Sequence, residues 1–231
     1  MVPWLPAPLP GRLGSPSLRT RGRYDRHMRT PVDLAHASRL INHGPTVLLT
    51  SRHGARRNVM AAAWSMPVEF SPPRLALVID KHTWTHELVQ ASGQVGVCLP
   101  CRDQADLTLT VGSLTGRDLA AAGDDKFARL GIAHFDGPVL GLPLVEGCVA
   151  WMECRLIEAR DAAGADLDAH ARQAYDTVFV EVVSAQADER VFRAGRWQLD
   201  GAPAALRTLH HLGGGLFAVA GDTVQGRDLS A

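Results

Sequence analysis

Cys98-Leu-Pro-Cys101 is a pair of residues whose types and spacing could do chemistry. Two thiols separated by two residues, after a strand and before a helix, form the setting of a redox dithiol, because a helix N-terminus lowers a thiol pKa. Cys98 also lies inside the apolar run QVGVCLP, and the βαβ surroundings of a thioredoxin are missing, so buried cysteines are the competing reading. Cys148 and Cys154, six positions apart, would share a strand face with Ala150 and Met152. Nothing beside the four cysteines has the spacing of a zinc ribbon or finger, and the ten histidines, His210-His211 among them, form no HExxH. No metal site is expected. A GxSxG nucleophile elbow is absent, and HHLGGG fails as a GxGxxG loop because Ala218 stands where the last glycine should be.

Two other segments carry a better physical case. Lys81-His82-Thr83-Trp84-Thr85 falls between an apolar strand and a helix start. One cation, two hydroxyls and the exposed N–H groups of a helix N-terminus could cradle a phosphate dianion. The competing reading is ordinary capping by Thr83 or Thr85. The second segment is Asn58-Val-Met-Ala-Ala-Ala-Trp64. Alanine is depleted in strands, so Ala61, Ala62 and Ala63 in a row need a reason. Small side chains let a flat ligand lie against the backbone, with Met60 or Trp64 as a wall; alternatively they let a helix pack closely on the sheet.

These residues must be positioned by elements that the pattern outlines. A helix is expected after Pro31, capped by Asp33, with Leu34, Ala37, Leu40 and Ile41 at helical spacing and Gly44-Pro45 as the stop. TVLLTS (46–51), a turn at His53-Gly54 and NVMAAAWSMPVEF (58–70) read as a hairpin, with Pro67 limiting the second strand. RLALVID (74–80) reads as a buried strand, 85–93 as a short helix closed by Gly93, and QVGVCLP (94–100) as the next strand. Residues 102–112 and 124–130 read as helical, separated by the loop GSLTGRDLAAAGD. Residues 146–159 and 176–186 read as strands around an Ala/Gly/Asp-rich insertion at 160–174, and Asp200–His211 reads as a helix before the strand LFAVA. Six or so strands with a few short helices in no βαβ rhythm predict a mainly β, β-rich α+β barrel rather than a doubly wound sheet.

The chain of 231 residues is 46% hydrophobic and holds 24 basic and 24 acidic residues. A disordered protein would be poorer in apolar residues, and no apolar run approaches the roughly 18 residues of a membrane-spanning helix. Residues 1–29 hold six arginines and one aspartate, a net +5, which leaves the body at −5. A mildly acidic body argues against nucleic acid as the partner. Residues 1–29 are expected to be a basic Pro/Gly-rich tail, or upstream sequence with Met28 as the true start. Basic residues follow rather than precede the proline-broken apolar stretch, unlike a secretory signal, so a cytoplasmic location is expected.

Read in order, the words GPTVLLTSRHGARRNVMAAAWSMPVEFSPPRLALVIDKHTWTHEL, VGVCLPC, VGSLTGRDLAAAGDDKF, PLVEGCVAWMECRL and TVFVEVVSAQADERVF resemble the flavin reductase-like family, flavoredoxins included. The resemblance spans roughly residues 31–220 and implies an FMN-binding split β-barrel of Greek-key type over 30–222, with 223–231 as a C-terminal tail. It implies that Asn58, Val59, Met60, Ala61, Ala62, Ala63 and Trp64 run along the isoalloxazine ring. Ala61 stands where the family carries Thr or Ser, leaving a backbone contact there. Lys81, Thr83, Trp84 and Thr85 match the family's phosphate word, with Trp for Tyr. Lys126 matches a lysine whose loop closes over the flavin, displaced here by an AAAG insertion, and His211 is assigned to the ring's far side. The implied protein is a homodimer with flavin near the interface, using FMN rather than FAD and NAD(P)H as co-substrate. It would pass electrons to a monooxygenase or another acceptor; no acid–base residue is assigned. The alternatives are a flavoredoxin-like carrier reduced by a partner protein, and a dithiol protein built on Cys98 and Cys101.

Overall fold

Long apolar runs with no polar alternation require strands covered on both faces, and the structure, a computed structural model, meets that requirement with one antiparallel sheet. It describes residues 28–157 and 175–224; residues 1–27 of the expected tail, the insertion at 160–174 and residues 225–231 lie outside them. Strands β1 (Arg29–Pro31), β2 (Val47–His53), β3 (Arg56–Ala62), β4 (Ser65–Phe70), β5 (Pro73–Asp80), β6 (Gln94–Leu99), β9 (Ala150–Ile157) and β10 (Tyr175–Asp188) form it. The order is β3-β2-β6-β9-β10-β5-β4, with β1 on the far end of β10. Val47 and Leu49 of β2 point into one core with Val95, Val97, Leu75 and Leu77, while Leu48 points into a second with Val59, Val111 and Phe127.

The two edge strands, β3 and β4, are consecutive in the chain and joined by only Ala63 and Trp64. Two residues reach at most about 10 Å from one strand end to the next, so the edges must meet. The sheet therefore rolls into a barrel whose open seam is bridged by the chain but by no ladder, β3 pairing only with β2 and β4 only with β5. The single strand expected over 58–70 is this run, bent at Ala63-Trp64.

Helices α1 (Trp84–Ser92), α2 (Ala105–Ser113), α3 (Gly116–Ala121) and α4 (Lys126–Leu130) all pack against β3. Three expectations need correction. The helix after Asp33 is a 3-10 helix, Leu34–Leu40, with the Asp33 carboxylate accepting from the Ala35 N–H. The expected loop at 112–124 contains α3. The expected helix Asp200–His211 is only a 3-10 turn, Ala204–Leu206, followed by the hairpin β13 (Leu209–Gly213) and β14 (Leu216–Val219). Gly213, Gly214 and Gly215 all take positive φ, the conformation that turns the hairpin and that other residues resist. Short strands β7 (His134–Asp136), β8 (Pro143–Val145), β11 (Phe192–Arg193) and β12 (Arg196–Trp197) complete the fold. Arg29, assigned to the tail from sequence, belongs to the body: it pairs with Glu146 at 2.8 Å and stacks 3.8 Å from the Phe135 ring centroid.

Candidate functional site

β3 alternates as a strand should. Val59 and Ala61 face the helix side, and Met60 and Ala62 face the barrel core. A methyl built on Gly112 of α2 would stand 3.3 Å from the Ala61 Cβ, so the small residue on β3 lets a helix approach closely. Beyond that contact a cavity of about 280 Å3 opens at the seam. Its walls are Ala61–Ala63, the α2 residues Thr108 and Leu109, and His211 and Phe217 of the β13–β14 hairpin. The alanines thus admit α2 closely at Ala61 and, further along the strand, line an open cavity.

The hairpin is tied down at the start of β2. The Thr46 N–H donates to the Leu209 carbonyl at 2.7 Å, and the His211 N–H donates to the Thr46 hydroxyl at 3.0 Å. The His211 ring is exposed and lies 5.4 Å from the Phe217 ring. Thr108, buried to 1% exposure, lines the cavity and its hydroxyl has no hydrogen-bond partner. An orphaned buried hydroxyl costs about 1–3 kcal/mol, and a ligand atom would relieve that cost. Leu109, Leu212 and Leu216 are exposed at the same end of the molecule.

The phosphate word is placed at the start of α1. Thr83 is the N-cap; its hydroxyl accepts from the His86 N–H at 3.2 Å and donates to the Asp80 carbonyl at 2.7 Å. Thr85 is buried and accepts from the Asn58 side-chain amide at 2.9 Å. Both hydroxyls therefore serve the fold, and the N–H groups of Trp84 and Thr85 remain at a helix start that offers no intrahelical acceptor. Lys81 is exposed. The other Asn58 side-chain atom, Oδ1, lies against Gly116, where any Cβ would collide with it. Asn58 thus ties β3 to α1 through Thr85, while its Oδ1, buried with no hydrogen-bond partner, packs against the start of α3.

Lys126 is 2% exposed, and its ammonium donates to the Val111 carbonyl at 2.7 Å. Val111 lies in the last turn of α2, whose carbonyls lack helical partners, so the lysine caps that helix. Burial pulls the Lys126 pKa down to about 8. From this position Lys126 holds α2, one wall of the slot, rather than lying on the slot's surface.

All four cysteines are buried free thiols. Burial raises the Cys101 thiol to about 11, outweighing the backbone N–H groups that lower it. Burial likewise raises Cys148 and Cys154. Cys148 and Cys154 do not share a face as the spacing suggested. β9 begins only at Ala150, and the two sulfurs fall in different cores. Among the described residues no group of three His, Cys, Asp or Glu is placed to hold a metal ion, and no helix is long and apolar enough to cross a membrane.

An open-seamed barrel with a slot along an alanine-rich edge strand defines a class, and comparison with known proteins agrees. The flavin reductase like domain model matches residues 39–210, and the chain belongs to that family; its fold is the family's FMN-binding split barrel. Among relatives, the uncharacterized protein YddH of Escherichia coli is 54% identical over 197 residues, covering 84% of this chain and 96% of that protein. The crystal structure of an FMN-binding domain of a flavin reductase-like enzyme from Shewanella baltica is 39% identical. Its TM-score is 0.76, and the match covers 86% of this chain and 97% of that one. The flavoredoxin of Desulfovibrio vulgaris shares the fold, with a TM-score of 0.63 at 21% identity over 81% of this chain and 92% of that one.

Proposed function

We propose that the chain binds FMN along β3 and uses it to take a hydride from NAD(P)H. The observation that carries this reading is the slot between Ala61–Ala63 and the His211–Phe217 wall, with the unpartnered Thr108 hydroxyl lining it. The residues fit the group. Alanines admit a flat ring to the backbone, and β3, paired on one side only, keeps alternate N–H and C=O groups for the ring's polar edge. Bound flavin would supply the hydride and electron chemistry, and the protein's part is binding, orientation and exclusion of water. Ala61–Ala63 set the depth at which the ring lies. His211 and Phe217 form the opposite wall, and Lys126 keeps α2 in register through its bond to Val111.

At about 280 Å3 the slot lies at the small end of ligand pockets, roughly 300–1,000 Å3, so one chain offers part of a site. Trp64, Met66, Val68 and Phe70, on and beside β4, are between 43% and 70% exposed and begin at the same seam. A second copy of the chain covering this stripe would bury it and finish the slot. The reading is tested by steady-state oxidation of NADH and NADPH with added FMN. Turnover supports a flavin reductase. Flavin binding without turnover would favour the carrier reading instead, in which a partner protein docks on the exposed leucines around the slot.

A further inference from the structure

A cavity of about 390 Å3 opens between the end of the 3-10 helix and the β11–β12 hairpin, and it shares no lining residue with the slot. Arg39, Asn42, His43, Gly195, Arg196 and Trp197 line it. The hairpin turns on Ala194-Gly195, both at positive φ, 48° and 71°, as tight two-residue turns require. A Cβ on Gly195 would collide with the His36 ring, so the tip is wedged against the 3-10 helix. There the Arg39 guanidinium donates to the Gly195 carbonyl at 3.0 Å, and the Trp197 indole N–H donates to the Arg39 carbonyl at 2.9 Å. His43 and Phe192 meet the Trp197 ring in T-shaped contacts, at 5.1 and 5.2 Å. Charge is what this packing leaves unbalanced. Arg193 and Arg196 stand directly opposite each other in the hairpin register, a like-charge pair that weakens it. Among the described residues no carboxylate pairs with either of them or with Arg39, and the Arg196 side chain makes no hydrogen bond. Asp33 and Glu189 line the neighbouring cavity with Arg193, and no carboxylate lines this one.

We propose that this cavity binds a small aromatic carboxylate, with the carboxylate between Arg39 and Arg196 and the ring against Trp197. A guanidinium presents paired N–H donors that match the two oxygens of a carboxylate, and an anion here offsets the repulsion between Arg193 and Arg196. The indole N–H is already engaged by the Arg39 carbonyl, so Trp197 offers a ligand apolar and π surface rather than a hydrogen bond. Ligand sites run from roughly 300 to 1,000 Å3, and about 390 Å3 suits a single ring with its acid group. The site stands apart from the flavin reading, since it uses no residue of β3, α2 or the β13–β14 hairpin.

The test is calorimetric titration of the full chain at low salt with benzoate, with benzamide as its uncharged counterpart and acetate as its ring-free one. Wild type should bind benzoate at least tenfold more tightly than either. Arg196→Gln, which breaks no hydrogen bond of the fold, should lose that preference. Its melting temperature should be no lower than that of wild type, because the change relieves a like-charge pair. Ala63→Leu, which blocks the flavin slot, should leave benzoate binding unchanged. Wild type without a preference over benzamide and acetate, or an Arg196→Gln variant that retains it, overturns the site. Loss of benzoate binding in Ala63→Leu would place the ligand in the slot and overturn it as well. Binding of a glutamate-rich peptide but not of benzoate would overturn it in favour of a docking surface for an acidic protein.

Discussion

Replacing Lys126 by Met removes a charge that the fold buries and a hydrogen bond that the fold uses, and pH separates the two. The native pKa of about 8 against 10.5 for the free side chain is about 2.5 units, or about 3 kcal/mol of cost to keep the ammonium charged below pH 8. The bond to Val111, charge-assisted and at a helix C-terminus, offsets about 2–4 kcal/mol of that. At pH 7 the variant should thus lie within about 2 kcal/mol of wild type. The sign with pH is fixed. Between pH 8 and 10.5 the unfolded lysine holds its proton and the native one has lost it, so wild type gains stability as pH rises. The variant cannot make that gain. Urea unfolding of both proteins at pH 7 and pH 10 should show the difference moving by about 2.5 kcal/mol in favour of wild type. Every other titrating group is common to both and cancels. A difference that stays flat would show that Lys126 is not a desolvated cation.

Other groups give independent checks. Burial, with His210 nearby, holds His43 down at about 4, so wild type should lose stability as pH falls from 6.5 towards 4, and His43→Phe should flatten that loss in acid unfolding curves. The buried Glu153 carboxylate accepts the N–H groups of Val139 and Leu140 at 2.9 and 2.8 Å. Glu153→Ala should therefore cost about 3–5 kcal/mol by denaturant titration, since three backbone donors, the buried Leu142 N–H among them, lose their acceptor. Met66→Asp with Phe70→Asp should convert a dimer to a folded monomer by light scattering; an unchanged mass would leave the β4 stripe without its proposed cover. Native Cys98 and Cys101 should react with a thiol reagent only as fast as the protein opens, and a rapid native-state reaction would revive the dithiol reading.

The parts of the fold that sequence made legible are those where covering on both faces leaves an unbroken apolar run: TVLLTS, RLALVID and QVGVCLP. NVMAAAWSMPVEF was legible as extended chain, but its bend at Ala63-Trp64 arises from barrel closure, which no local pattern encodes. Helix α3 was hidden by its flanking glycines, although Thr115 followed by an Ala-rich stretch was a usable signal. Ala204, Ala205 and Leu206 favour a helix locally, yet the pairing of Leu209–His211 with Phe217–Val219 wins, and three glycines between two apolar runs were the hairpin's mark. At the site, the alanines stood out by composition. Thr108 did not, because an orphaned hydroxyl exists only once distant segments meet.

The central claim is that FMN binds in the slot at the barrel seam, and the visible absorption spectrum of the full chain titrated with FMN tests it most directly. The account predicts flavin bands shifted from those of the free cofactor and saturating, with Ala63→Leu, an exposed lining position whose side chain would fill the slot, abolishing the shift while the protein stays folded. Bands identical to those of free FMN at saturating concentration, or a shift that Ala63→Leu leaves intact, would contradict it.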